Sequence, residues 1–122
     1  MSQLPKAIGP YSLIVKTVVG QAPIFFSGLI GVNPESGNIE AKTFNDEVSQ
    51  AFKNLSAVLE HAGVDRTEIV KTTCFLQTMD QFQEMNQLYA EFFGEHKPTR
   101  STVAVCGLPK GANFEIEVVA YK

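Results

Sequence analysis

Apolar positions along this chain recur at steps of three and four in two stretches, and alternate with polar ones in the stretches around them. That predicts two amphipathic helices set among strands. Ser12 to Val19 and Ile24 to Leu29 are rich in Val, Ile and Phe and are split by Gly20-Gln21-Ala22-Pro23, which reads as a strand pair and its turn. Asn33-Pro34-Glu35-Ser36-Gly37-Asn38 is dense in turn formers and marks a loop. Phe44, Val48, Ala51, Phe52, Leu55, Val58, Leu59 and Ala62 then share one face of a helix. Thr43, three residues ahead of Asp46, caps its start, while His61 and Gly63 make a normal end.

Ile69 to Leu76 reads as a strand, with Val70, Thr72, Cys74 and Leu76 on one side and Lys71, Thr73, Phe75 and Gln77 on the other. A second helix starts near Asp80, whose side chain can cap it. Phe82, Met85, Leu88, Tyr89, Phe92 and Phe93 form its apolar face, and Gly94 stops it. Pro98 keeps the chain extended into two last strands, Ser101–Cys106 and Asn113–Tyr121. The order ββ-α-β-α-ββ predicts an α+β fold, a single mixed β-sheet with both helices packed on one face. On the last strand Glu115, Glu117, Val119 and Tyr121 share the other face. A half-apolar sheet face of this kind packs against something, most simply a second copy of the chain.

Composition narrows the function classes. The 122 residues fit one domain, 1–122, with no linker or repeat. A net charge of -3 without a basic cluster argues against nonspecific nucleic-acid binding. Cys74 and Cys106 match no metal or redox spacing and read as small buried hydrophobes. Thr17 to Pro34 is uncharged and nearly long enough to span a bilayer, but turn formers interrupt it. Met1 to Gly9 lacks the apolar core of a secretory signal, so a soluble, cytoplasmic protein is expected.

Candidate chemistry concentrates near the C-terminus. Arg100 follows Pro98 and heads a strand, so its donor fork is placed to grip a carboxylate; the alternative is an ordinary salt bridge with a Glu. Glu115 and Glu117 share a strand face, as proton-transfer groups or as plain solvated charge. Tyr11 follows a Gly-Pro turn, as a donor to a ligand or as a packed terminal tyrosine, and the glycine of Ser27-Gly28 lets a ligand approach the backbone closely or simply relieves twist. His61 and His96 lack any recognisable catalytic partner. Spacing does not unite Arg100 with Glu115. In a simple hairpin they would be offset by about four residues, roughly 13 Å at strand rise. Either the two strands are not neighbours, or the groups meet across a subunit interface.

The chain resembles the RidA (YjgF-type) family, the reactive intermediate deaminases. The resemblance lies in Ala7-Ile8-Gly9-Pro10-Tyr11, Phe26-Ser27-Gly28, Val32-Asn33-Pro34, Ile69-Val70-Lys71-Thr72-Thr73, Asn86 with Tyr89 and Phe92-Phe93, Arg100-Ser101, and Leu108-Pro109-Lys110 with Glu115-Ile116-Glu117. It implies a chorismate-mutase-like fold, a homotrimer with pockets between subunits, and no cofactor or metal. It also implies hydrolysis of 2-iminobutanoate and 2-iminopropanoate, released by pyridoxal-phosphate-dependent dehydratases, to 2-oxo acids and ammonia. Arg100 would clamp the substrate carboxylate and Glu115 would position water. Tyr11, Ser27, Gly28, Asn86 and Thr102 would line the pocket. The chain departs from the family at Thr102, where many members carry Cys, at Leu29 in place of Gln, and at Gly31 in place of Pro. Competing readings are a non-catalytic module that binds 2-oxo acids or related metabolites, and an endoribonuclease or translation inhibitor.

Overall fold

Two central strands organise the sheet, and on each of them every second side chain enters the core. The computed structural model describes residues 3–122. The strands are β1 (Pro23–Phe25), β2 (Leu29–Ile30), β3 (Ile69–Leu76), β4 (Thr99–Ala104) and β5 (Phe114–Tyr121). The helices are α1 (Phe44–Ala62) and α2 (Phe82–Phe93). The sheet order is β1-β5-β3-β4, with β2 also on β5. β5 runs antiparallel to its neighbours, whereas β3 and β4 are parallel and α2 makes the crossover between them.

Phe114, Ile116, Val118 and Ala120 of β5 are buried with Ile69, Cys74 and Leu76 of β3. They pack under Val48, Ala51, Phe52, Leu55 and Leu59 of α1 and Met85, Tyr89 and Phe93 of α2. Each such side chain contributes about 1.5–3 kcal/mol by leaving water. The expected single mixed sheet with two helices on one face is therefore present. The opposite face, with Phe75, Val103, Glu115, Glu117 and Val119, has no covering layer among the described residues; Phe25 beside it is 75% exposed.

Local expectations hold at α1. Thr43 Oγ1 accepts the Asp46 N–H at 3.1 Å, and Gly63 closes the helix in the left-handed conformation at φ 69°. Val58 and Ala62, placed by periodicity on the apolar face, are instead exposed. Four other expectations need correction. Ser12–Val19 forms no strand: Ser12 is tied to the chain before β4, its N–H donating to Pro98 O at 3.0 Å and its hydroxyl to Lys97 O. Only the turn Val18–Gln21 survives, and Leu13, Ile14, Val18 and Val19 are exposed. Strand propensity is realised only where a ladder and a buried face support it. On β3 a bulge between Ile69 and Lys71 puts Ile69 rather than Val70 into the core. The cap at the second helix comes from Thr78, not Asp80; Thr78 Oγ1 accepts the Asp80 N–H and starts a 3-10 turn, Met79–Gln81, that leads into α2. Cys106, expected to be buried like Cys74, is exposed beyond the end of β4. Of the two alternatives that spacing leaves for Arg100 and Glu115, their strands are indeed not neighbours, because β3 lies between them.

Candidate active site

Arg100 sits on β4 in register with Thr72 of β3, whose side chain faces the helices. Its guanidinium therefore turns toward α2. Nη1 donates to Asn86 Oδ1 at 2.6 Å. The guanidinium carbon lies 4.7 Å from the ring centre of Tyr89 and 5.6 Å from those of Tyr11 and Phe82. Among the described residues it has no carboxylate at ion-pair distance. The ordinary salt bridge to a Glu is thus absent among the described residues. Ring faces attract a cation without neutralising it, so the remaining donors stay open to an anion.

The turn before Tyr11 is shaped around this cation. Any Cβ at Gly9 would stand 3.1 Å from Arg100 Nη2 and 3.3 Å from the Tyr11 ring. Tyr11 Oη accepts the Ile8 N–H at 3.2 Å, which leaves the phenolic hydrogen free to donate. Beneath the arginine, Tyr89 Oη and Thr72 Oγ1 are 2.8 Å apart and fully enclosed, and burial holds the phenol well above its usual range. Thr102 follows on the same face, but its hydroxyl is buried without a hydrogen bond of good geometry. Cys74 beside it is pushed up to about 12, chiefly by burial, and stays a neutral thiol.

Glu115 belongs to a separate cluster. It pairs with Phe75 and Ile30 and projects from the uncovered face. Between the β1 and β2 pairings one extra residue is inserted opposite β5, so Phe26-Ser27-Gly28 forms a bulge. This carries Gly28 onto the Glu115 carboxylate, where a Cβ would stand 2.2 Å from Oε2. Glu115 titrates above the usual carboxylate range, first through desolvation and second through repulsion by Glu117. Ser27 is exposed.

The structure thus joins Arg100, Tyr11, Asn86 and Thr102 in one group and Ser27, Gly28 and Glu115 in another. Arg100 is level with Thr72 and Glu115 with Phe75, and β3 separates their strands. The gap within one chain is roughly 10 Å along the strands and roughly 10 Å across them, with the side chains on opposite faces. Sequence reasoning missed Phe82 and Tyr89 as walls around Arg100, because helical periodicity assigns both to the core. His96 is structural, its Nε2 lying 2.7 Å from Ile69 O, and His61 is an exposed residue of the last turn of α1.

Comparison with known proteins places these residues in context. The family Ribonuc_L-PSP, endoribonuclease L-PSP, matches residues 1–122. Human 2-iminobutanoate/2-iminopropanoate deaminase is 40% identical over 119 residues, covering 98% of this chain and 85% of its own. A RutC family protein of Pyrococcus horikoshii is 42% identical over 118 residues, covering 97% and 91%. Among solved structures, an endoribonuclease-like protein of Thermotoga maritima superposes with a TM-score of 0.80 at 44% identity, covering 97% and 91%. TdcF of Escherichia coli with bound serine superposes with a TM-score of 0.77 at 38% identity, covering 97% and 92%. The chain accordingly belongs to the Ribonuc_L-PSP family, the group that also holds the reactive intermediate deaminases.

Proposed function

We propose that this chain hydrolyses small 2-imino acids, such as 2-iminobutanoate and 2-iminopropanoate, to 2-oxo acids and ammonia. The observation that carries the reading is Arg100, a guanidinium walled by three aromatic rings, fixed by Asn86 and left without a carboxylate partner. A fork held this way grips a planar carboxylate in two parallel hydrogen bonds and fixes the adjacent imine carbon. Glu115, ionised above its raised pKa, takes a proton from water as the oxygen adds to that carbon. Returned to nitrogen, the proton lets ammonia leave as the carbinolamine collapses to the 2-oxo acid. Cys74 takes no part, since its buried thiol stays protonated.

Because one chain holds Arg100 and Glu115 on opposite faces, the complete site requires two copies. The uncovered face bearing Glu115 and exposed Phe25 would meet the Arg100 edge of a neighbour, and repetition of that head-to-tail contact closes a ring such as a homotrimer. Human and rodent relatives named as 2-iminobutanoate/2-iminopropanoate deaminases, at 38–40% identity, support the reaction class.

The test is a coupled assay in which threonine dehydratase generates the enamine and imine in situ, with the spontaneous hydrolysis subtracted. Acceleration of 2-oxobutanoate formation that vanishes in Arg100→Ala is expected. Ligand binding without acceleration would instead make this a metabolite-binding protein.

A further inference from the structure

We infer that the buried hydrogen bond between Thr72 and Tyr89 sets the tilt of the Arg100 guanidinium, so that both are positioning residues for a carboxylate that neither touches. The inference rests on the reading that Arg100 grips a carboxylate, and it deepens that site. Phe82, Asn86 and Tyr89 reach Arg100 from one stripe of α2, at the spacing i, i+4, i+7. Tyr89 is the nearest of the three rings, its centre 4.7 Å from the guanidinium carbon against 5.6 Å for Tyr11 and Phe82. Among the described residues, side-chain hydrogen bonds tie α2 to the sheet at Asn86–Arg100 and at Tyr89–Thr72. The first includes the arginine itself. The second therefore fixes the depth of α2 independently of the group it serves.

Thr72 stands opposite Arg100 on the β3–β4 ladder, so one rung carries both the arginine and the anchor of its aromatic platform. Thr72 Oγ1 donates to Thr99 O at 3.4 Å, which leaves the Tyr89 hydroxyl to donate to Thr72 at 2.8 Å. Without the threonine hydroxyl the phenol would be stranded in the core, and its ring would shift toward another partner. A guanidinium is a planar fork, and its two parallel bonds to a carboxylate depend on how that plane is tilted. Its plane follows the ring it lies over. Thr72 and Tyr89 are both fully buried within one chain, so a neighbour that closes the cleft leaves their bond untouched.

The experiment measures KM and kcat in the coupled dehydratase assay, and Kd for 2-oxobutanoate by NMR titration. Thr72→Val keeps the branched shape and strands the phenol. KM and Kd should rise about tenfold while kcat stays within about twofold, because the clamp holds substrate and transition state alike. Thr72→Ser keeps the hydroxyl and should stay within about twofold of the parent. Tyr89→Phe leaves the Thr72 hydroxyl bonded to Thr99 O and should also cost about twofold. Thr72→Val combined with Tyr89→Phe strands nothing, so the double variant should recover to the Tyr89→Phe values. In an Arg100→Lys background, where the ammonium has no plane to tilt, Thr72→Val should cost no further affinity. Unchanged KM and Kd in Thr72→Val, an equal loss in Thr72→Ser, no recovery in the double variant, or an equal loss beside Arg100→Lys overturns the inference. A parent that binds 2-oxobutanoate without accelerating imine hydrolysis removes the deaminase reading alone, and the Kd values then decide. A parent that does not bind it removes both.

Discussion

Glu47 links the stability of the fold to the placement of Glu115. It lies in the first turn of α1 and is only 3% exposed. Its Oε2 accepts the Asn113 backbone N–H at 2.7 Å, and its Oε1 accepts Asn113 Nδ2 at 2.9 Å. The helix N-terminus stabilises the negative charge. Asn113 immediately precedes β5, two residues ahead of Glu115, so these bonds fix where that strand begins. Glu47→Ala strands both donors. Hydrogen bonds to a charged group are worth about 1.5–3 kcal/mol each, and partial recovery by water leaves a net loss of about 3 kcal/mol. For a chain of this length that lowers Tm by roughly 10–15 °C. In Glu47→Gln, reversal of the Asn113 amide restores both bonds without charge assistance, and the loss shrinks to about 1 kcal/mol. Urea titration reads both values as shifts in midpoint at constant slope. The coupled assay should also show reduced kcat for the folded Ala variant. A Glu47→Ala midpoint within about 0.5 kcal/mol of the parent would refute the reasoning, since substitutions away from such contacts cost no more.

Two further substitutions probe the carboxylate itself. Glu117→Gln removes the like charge that helps raise the pKa of Glu115, so Glu115 remains ionised to lower pH. The acid limb of kcat/KM should then move to lower pH, and a shift to higher pH or none would contradict the stated cause. Gly28→Ala drives a methyl group into the space of Glu115 Oε2, and the flexible end of that side chain swings aside rather than unfolding the strand. A displacement of about 1 Å costs about 100-fold in rate, so kcat should fall by that order while Tm stays nearly unchanged.

Much of the fold is legible in the sequence because its periodicities are local. The face of α1, its Thr43 cap and its Gly63 end follow from side-chain spacing and backbone conformation alone. The extent of β3 from Ile69 to Leu76 is equally plain. Ser12–Val19 carries the same β-rich composition yet remains outside the sheet, since pairing depends on what lies alongside. The site is legible only as a set of residues. Tyr89 and Phe82 have the spacing of core residues and also wall the arginine, a double role that no spacing rule separates. The division of Arg100 from Glu115 depends on β3 lying between their strands, a property of topology rather than of the intervening sequence. Gly28 reads from sequence as room for a ligand, whereas its nearest neighbour is the Glu115 carboxylate.

Mixing two inactive variants tests the central claim, that Arg100 and Glu115 act together only across a subunit boundary. Arg100→Ala and Glu115→Gln would be purified separately, dissociated together and reassembled, then assayed for imine hydrolysis above the spontaneous rate. Random assembly into a closed ring places an intact Arg100 against an intact Glu115 at about a quarter of the boundaries, so about a quarter of the parent activity should return. A mixture that exchanges subunits, as mass spectrometry would show, and yet stays as inactive as its components would contradict the shared site.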